Sequence, residues 1–282
     1  MPDLELRGLT KVYPNGTVAL RGIDLEVRAG EFLVLIGLSG SGKSTLLRCI
    51  NRLVEPTRGT VRFAGIDVTA ARGAELRRVR RRIGMIFQQF NLVRRTSVLR
   101  NVLAGRIGYV STWRTVLGRF PRDVLSRAVA NLERVGIAAK AHQRADSLSG
   151  GQQQRVGIAR ALMQEPQLIL ADEPVASLDP ATSHSVMRYL EEINRKDGIT
   201  VICALHFLSL ARRYGTRVVA LKDGVIVFDG PPADIDEKRF KDIYGQDAVE
   251  VEIGPAREGM TYDEARRLAK TDAADVPPGL ER

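Results

Sequence analysis

Two cysteines, three histidines and a single tryptophan in 282 residues leave little with which to staple or metallate a fold. Cys49 and Cys203 both lie in apolar stretches. They are too few for a disulfide framework or a cysteine metal cluster, and read as buried free thiols of a reducing compartment. Long apolar runs are also missing: the longest near the N-terminus, Phe32 to Ile36, is far short of the ~18 residues of a membrane span. Met1-Pro-Asp-Leu-Glu5 carries early acids and no apolar segment, so no secretory leader is expected. Repeats and low-complexity stretches are absent, and aromatic residues make up only 5%. What remains, 44% hydrophobic and 27% charged residues, is enough to bury a core and excludes disordered and collagen-like chains. The length fits one large domain or two small ones.

Net charge is +10 and strongly local, because thirteen arginines face one acid, Glu75, between Arg72 and Arg122. Nucleic acid, anionic headgroups, an acidic protein partner and a merely solvated face each fit such a stretch. The interleaved aromatics of a single-strand platform are lacking, as are helix-turn-helix and zinc-finger patterns, so no specific nucleic acid is expected. From Asp247 onward nine acids outnumber five bases, marking residues 247–282 as an appended extension.

Apolar patterning places strands at Leu4 to Val12, Ala19 to Val27, Glu31 to Ile36, Thr60 to Ala64 and Ile83 to Phe87. Others fall at Leu168 to Ala171, Thr200 to Leu205 and Arg217 to Leu221, the last turning through Asp223-Gly224 into Val225 to Phe228. Helical spacing marks Ser44 to Leu53, Val124 to Val135, Gln153 to Met163 and Ala181 to Lys196. Thr261-Tyr-Asp-Glu264 is a capping box opening one more helix. Strands alternating with helices predict an α/β core with a parallel sheet, into which a helical middle, roughly 89–150, is inserted.

Gly37-Leu-Ser-Gly40-Ser-Gly42-Lys43-Ser44 satisfies G-x-x-x-x-G-K-[ST] between a buried strand and an amphipathic helix. Glycines let main-chain N–H groups curl round phosphate oxygens, and the helix N-terminus adds partial positive charge. In such a loop Lys43 reaches the terminal phosphates and the Ser44 hydroxyl holds Mg²⁺, so the chain binds a nucleoside triphosphate. Leu168-Ile-Leu-Ala-Asp172-Glu173 is an apolar strand ending in two carboxylates. Asp172 is placed to hold Mg²⁺ through water, and Glu173 to polarise an attacking water. Leu148-Ser149-Gly150-Gly151-Gln152 precedes a helix; Ser149 reads as its N-cap and the glycines as a loop, and the same segment is a second anion site.

These three segments, in this order, resemble the ATPase subunits of ABC transporters. The resemblance covers residues 3 to 245 and implies a P-loop NTPase (RecA-like) α/β core with an antiparallel β subdomain and an inserted α-helical subdomain. Domains follow as a nucleotide-binding domain at 1–246, with its helical subdomain at about 89–150, and the 247–282 extension. It implies that two copies sandwich two ATP molecules head to tail, Ser149, Gly150, Gly151 and Gln152 closing on the ATP of the other copy. Gly37, Ser39, Gly40, Ser41, Gly42, Lys43, Ser44 and Thr45 then hold the phosphates, and Ser44, Gln88 and Asp172 the Mg²⁺. Gln88 matches the glutamine that senses the γ-phosphate, with Gln89 as its rival. Asp179, in Ser177-Leu-Asp179, resembles the interface-crossing loop and is equally a helix N-cap before Pro180. His206 matches the switch histidine that works with Glu173, and Tyr13 the aromatic that stacks on adenine.

The family places such a chain at the cytoplasmic face of the cell membrane, as a peripheral subunit on transmembrane permeases served by a substrate-binding protein. The Arg-rich stretch, through Arg94, Arg95, Arg106 and Arg114, is expected to meet the permease or headgroups. Phe87-Gln-Gln-Phe-Asn-Leu-Val-Arg-Arg95, Asn101 to Trp113 with its Gly-Tyr-Val-Ser-Thr-Trp insert, His142-Gln-Arg-Ala-Asp146 and Glu173-Pro-Val-Ala-Ser-Leu-Asp179 look specifically like phosphonate importers. Arg100, where a glutamate is common, and Phe207, where a glutamine is usual, depart from that pattern. A polar amino-acid importer or exporter ATPase, and a soluble nucleic-acid or ribosome-associated ABC ATPase, are the alternatives.

Overall fold

The computed structural model describes residues 3–109 and 120–245. The Gly-Tyr-Val-Ser-Thr-Trp insert lies mostly outside these residues, as do Arg114, the Thr261–Glu264 capping box and the extension. Two sheets form. In the first, β1 (Leu4–Val12) pairs antiparallel with both β2 (Val18–Val27) and β4 (Arg58–Phe63), and β4 turns into β5 (Ile66–Asp67). The second contains β3 (Phe32–Ile36), β6 (Ile83–Ile86), β7 (Leu168–Asp172), β8 (Thr200–Ala204), β9 (Arg217–Lys222) and β10 (Val225–Gly230). Its order is β10-β9-β3-β8-β7-β6, all parallel except β10. The β9–β10 hairpin turns at Asp223 and Gly224, with φ of 50° and 80°, as the primed turn of an Asp-Gly pair requires.

Among the described residues the helices are α1 (Lys43–Ile50), α2 (Gly73–Arg81), α3 (Val98–Leu103), α4 (Arg122–Arg134), α5 (Gly150–Leu162), α6 (Pro180–Asp197), α7 (Leu208–Tyr214) and α8 (Glu237–Tyr244). Strands β3, β6, β7 and β8 are buried along their whole length, as parallel strands covered on both faces must be. Side chains alternate across the sheet. Phe32, Val34, Ile169, Ala171, Val201 and Cys203 therefore pack on the α5–α6 side. Leu33, Leu35, Leu168, Leu170, Ile202 and Ala204 pack on the other, against Leu46, Leu47 and Ile50 of α1 and the first sheet.

Four helices escape the apolar spacing, each for a physical reason. In α2, Val79 is the one buried residue among four arginines and a glutamate, so no stripe exists to read. Helices α3, α7 and α8 have two turns or so, too short to stand without tertiary contacts. Helix α5 also starts earlier than its apolar spacing predicts: Gly150 and Gly151 form its first turn rather than a loop. A capping box between Ser149 and Gln152 offsets the poor helix propensity of the glycines.

The arginine stretch does not form one continuous solvated face. Arg80 donates to the carbonyls of Asn51 (3.0 Å) and Arg52 (2.6 Å), closing the C-terminal end of α1, where a cation is favoured. Arg81 and Arg106 lie over the Tyr109 ring at 4.8 and 4.0 Å. Arg106 also donates to the Met163 carbonyl and pairs with Glu165, both at 3.1 Å. That guanidinium fastens the inserted helices to the core, which corrects the expectation from the sequence that Arg106 meets the permease or headgroups. Arg77, Arg78, Arg94, Arg95 and Arg100 remain exposed.

Burial pushes the Cys49 thiol up to about 12 and the Cys203 thiol up as well, so neither supplies thiolate at neutral pH. Iodoacetamide should leave both unmodified in the native protein and label both in denaturant. Mass spectrometry showing fast native labelling of either would contradict the packing.

Candidate active site

Parallel strands end at the same edge, and four of the segments that carry predicted chemistry leave this edge. The phosphate loop follows β3, the 206 loop follows β8, Asp172 and Glu173 end β7, and Gln88 follows β6. In strand order these are neighbours, β3-β8-β7-β6, and register sets Leu35, Ala204 and Asp172 in one row. Ligands of open α/β sheets bind outside such carboxyl ends.

The loop between β3 and α1 is shaped by positive φ at Gly37 (140°), Gly40 (81°) and Gly42 (107°). A Cβ on Gly37 would meet the Leu221 carbonyl and Ser41 Oγ, and one on Gly42 would lie 2.6 Å from the Ala19 carbonyl. Lys43 is 3% exposed, with Nζ donating to the Gly37 (2.7 Å) and Leu38 (3.0 Å) carbonyls. Burial pulls its pKa down, while Glu173 and Asp172 push it back up. Ser41 Oγ is buried with no partner. A buried hydroxyl, a buried ammonium and a helix N-terminus fit the oxygens of a polyphosphate. Leu38, Ser39 and Gly40 form the exposed rim.

Side chains at 168, 170 and 172 point to the α1 face, and there Asp172 meets Ser44 and Arg48. Ser44 Oγ donates to Asp172 Oδ1 at 2.6 Å and Arg48 to Oδ2 at 3.0 Å. Hydroxyl and carboxylate oxygens suit Mg²⁺, which takes few protein ligands beside phosphate oxygens. Among the described residues no group of three or more His, Cys, Asp or Glu is placed to hold a metal by itself.

Glu173 adopts φ 50°, a strained value for a non-glycine residue that turns its side chain away from the strand's alternation. Its Oε1 lies 2.6 Å from His206 Nε2. The hydrogen bond from His206 holds the Glu173 carboxyl below its ordinary range; partial burial opposes this, and the charges of His206 and Lys43 reinforce it. A carboxylate kept ionised beside a phosphate cradle can accept a proton from an attacking water. The main chain of His206 is fixed from outside, its carbonyl accepting from Tyr244 Oη at 3.2 Å.

The remaining predicted residues lie at the margins. Tyr13 Oη is 3.2 Å from Thr45 Oγ1, and Lys11 Nζ lies 5.1 Å from the Tyr13 ring centre. Gln88 and Gln89 are both exposed. Asp179 caps α6, accepting from the Thr182 N–H at 3.0 Å, with Pro180 in the first turn. Ser149 Oγ accepts from the Gln152 N–H, whose own Oε1 accepts from Ser149 N–H and Lys140 Nζ. Gly150 and Gly151 pack against Leu178 and Thr182 beside Asp179. Among the described residues no hydrogen bond or ion pair joins 149–152 to the phosphate loop of the same chain. Phe207, off the expected pattern, packs against the core and occupies the N-cap position of α7 without a side-chain capping bond. Arg48 and Lys11 were missed from sequence; the signal for Arg48 was its place four residues after Ser44 on a predicted helix.

Residues 20–176 match the ABC transporter family profile. The chain is 60% identical over 251 residues, 89% of its length and 96% of the relative's, to the phosphonates import ATP-binding protein PhnC of Bdellovibrio bacteriovorus. It is 54% identical over 252 residues, 89% of its length and 98% of the relative's, to the protein of the same name from Staphylococcus aureus. Its fold is similar, with a TM-score of 0.73 and 36% identity over 81% of this chain and 98% of the other, to the dimeric ATP-binding cassette MJ0796 in a post-hydrolysis state with ADP and Pi.

Alanine at Gly40 or Gly42 incurs about 1–2 kcal/mol of left-handed backbone strain. Only Gly42→Ala adds a collision with the backbone of β2, so it should lower the urea midpoint further and lose nucleotide binding. Equal losses would show that β2 yields.

Proposed function

As a member of the ABC transporter family, to which it belongs, the chain is the ATP-hydrolysing subunit of an importer, and we propose that its cargo is a phosphonate. The observation that carries this reading is the likeness to the two phosphonates import proteins over nine-tenths of the chain. Residues 1–246 are taken as the nucleotide-binding domain and 247–282 as an extension.

ATP phosphates lie in the 37–45 loop with Tyr13 against the adenine, and Mg²⁺ would be held by Ser44, Gln88 and Asp172, where it supplies charge neutralisation. Lys43 stabilises charge on the terminal phosphoryl, Glu173 accepts the proton of the attacking water, and His206 orients Glu173. Phosphoryl transfer of this kind depends on positioning and electrostatics. Leu38 is 49% exposed at the loop rim, and Ser149, Ser177 and Asp179 are exposed as well. These features support closure of a second copy, which brings its Ser149–Gln152 segment to the γ-phosphate.

No described helix is long and apolar enough to cross a membrane. Membership of the family supports permease partners, which hold the chain at the cytoplasmic face and receive cargo from a binding protein. A groove of about 240 Å³ between the core and the inserted helices, lined by Leu53, Met85, Phe87, Ala104 and Arg160, leads to the Gln88 loop. Val93 and Ile107 are further exposed apolar residues of the inserted segment. A cytoplasmic segment of the permease fits there, with Arg94 and Arg95 nearby in sequence to meet its acids.

Phosphate-starved cells whose only copy is Lys43→Ala should lose uptake of a labelled alkylphosphonate. Uptake equal to wild type would remove the cargo assignment and leave the family untouched. Glu173→Gln should hold an ATP-bound dimer in size-exclusion chromatography, and a variant that stays monomeric with ATP would count against the sandwich. Reversing Arg94 and Arg95 to glutamate should release the chain from membranes, whereas full retention would exclude them from the contact.

A further inference from the structure

We propose that Arg48 is a positioning residue for the metal side of the site, orienting the Asp172 carboxylate through a directional guanidinium bond. The proposal rests on the reading of Ser44 and Asp172 as the Mg²⁺ side. Asp172 ends β7 pointing at α1, and Ser44 and Arg48 are one helical turn apart on α1, so both reach it from the same face. Each takes a different oxygen: Ser44 Oγ is 2.6 Å from Oδ1 and Arg48 Nη2 is 3.0 Å from Oδ2. Among the described residues no other cation bonds this carboxylate, since Lys43 Nζ is directed at the Gly37 and Leu38 carbonyls. The side chain of Asp172 is 2% exposed and that of Arg48 is 46% exposed.

Two effects compete. The guanidinium fixes the carboxylate plane, which strengthens metal binding, and its charge repels a divalent cation, which weakens it. Arg48 is half in solvent, where charge is screened, and it bonds the oxygen that Ser44 does not use. Orientation is not screened, because a buried carboxylate with both oxygens bonded keeps a single rotamer. Positioning therefore wins, and removing Arg48 weakens metal binding rather than tightening it.

The test uses the full-length chain with ATP and Mn²⁺ as the Mg²⁺ probe, read by electron paramagnetic resonance. Arg48→Met should weaken Mn²⁺ about tenfold or more, as loss of a ligand's hydrogen-bond partner does. Metal-free ATP affinity should stay close to wild type, the thermal unfolding midpoint should fall only modestly because Arg48 is half exposed, and Arg48→Lys, which keeps charge but loses the planar fork, should fall between in Mn²⁺ affinity. Unchanged or tighter Mn²⁺ binding in Arg48→Met overturns the proposal, provided Asp172→Asn weakens it. If Asp172→Asn also leaves Mn²⁺ binding unchanged, the metal-side reading itself falls and takes the proposal with it. Should Arg48→Met not fold, Arg48→Lys decides, and Mn²⁺ affinity equal to wild type overturns the directional bond.

Discussion

A carboxylate buried at the end of a parallel strand organises this molecule. Burying a polar group costs free energy unless it is hydrogen-bonded, and both hydrogen bonds of the Asp172 carboxylate come from α1, the helix that opens directly from the phosphate loop. Removing one partner of a fully buried ion pair costs about 3–5 kcal/mol, and less here because solvent screens the exposed half of Arg48. The junction between sheet and helix is thus electrostatically determined, and the loop has one place to go. Its glycines then hold conformations that side chains cannot, packed against the carbonyls of Leu221 and Ala19.

The second organising constraint is the two-sided sheet. Because β3, β6, β7 and β8 are buried on both faces, alternate residues of each strand commit to different cores. One core joins the sheet to α1 and the antiparallel strands, and the other joins it to α5, α6 and the inserted helices. The inserted helices are then fastened by polar bolts. Arg160 donates to the carbonyls of Phe90 (2.8 Å) and Asn91 (2.6 Å), residues at positive φ of 57° and 49°. The loop that carries Gln88 is therefore tied to α5, the helix headed by Ser149, and neither can move far without the other. The His184 Nδ1 to Tyr214 Oη contact of 3.0 Å ties the helix capped by Asp179 to the helix after His206. Four loops of the site are linked in pairs through polar contacts, of which the His184–Tyr214 contact is buried.

Arginine serves this protein in two ways that composition cannot separate. Arg80, Arg81, Arg82 and Arg106 cap a helix, stack on Tyr109 and Phe63, and close ion pairs or hydrogen bonds between elements. Arg94, Arg95 and Arg100 face solvent. The difference lies in which carbonyls and rings happen to be near, and those are brought by distant parts of the chain.

What the amino-acid sequence determined unaided was whatever is local. The phosphate loop is legible because its glycines, Lys43 and Ser44 are contiguous and sit between a strand and a helix that announce themselves. Buried strands are legible because apolar runs have few other uses, and the Ser149–Gln152 cap because its two bonds span three residues. Tertiary structure decided the rest. Helices α2, α3, α7 and α8 are short or Arg-rich and are held by packing rather than by their own pattern. The Arg48–Asp172 bond joins residues 124 apart in sequence, and Glu173 meets His206 only because β7 and β8 are neighbours in the sheet. A pairing between distant charges depends on strand order and on which face each side chain takes, and both are set by burial of the whole chain at once.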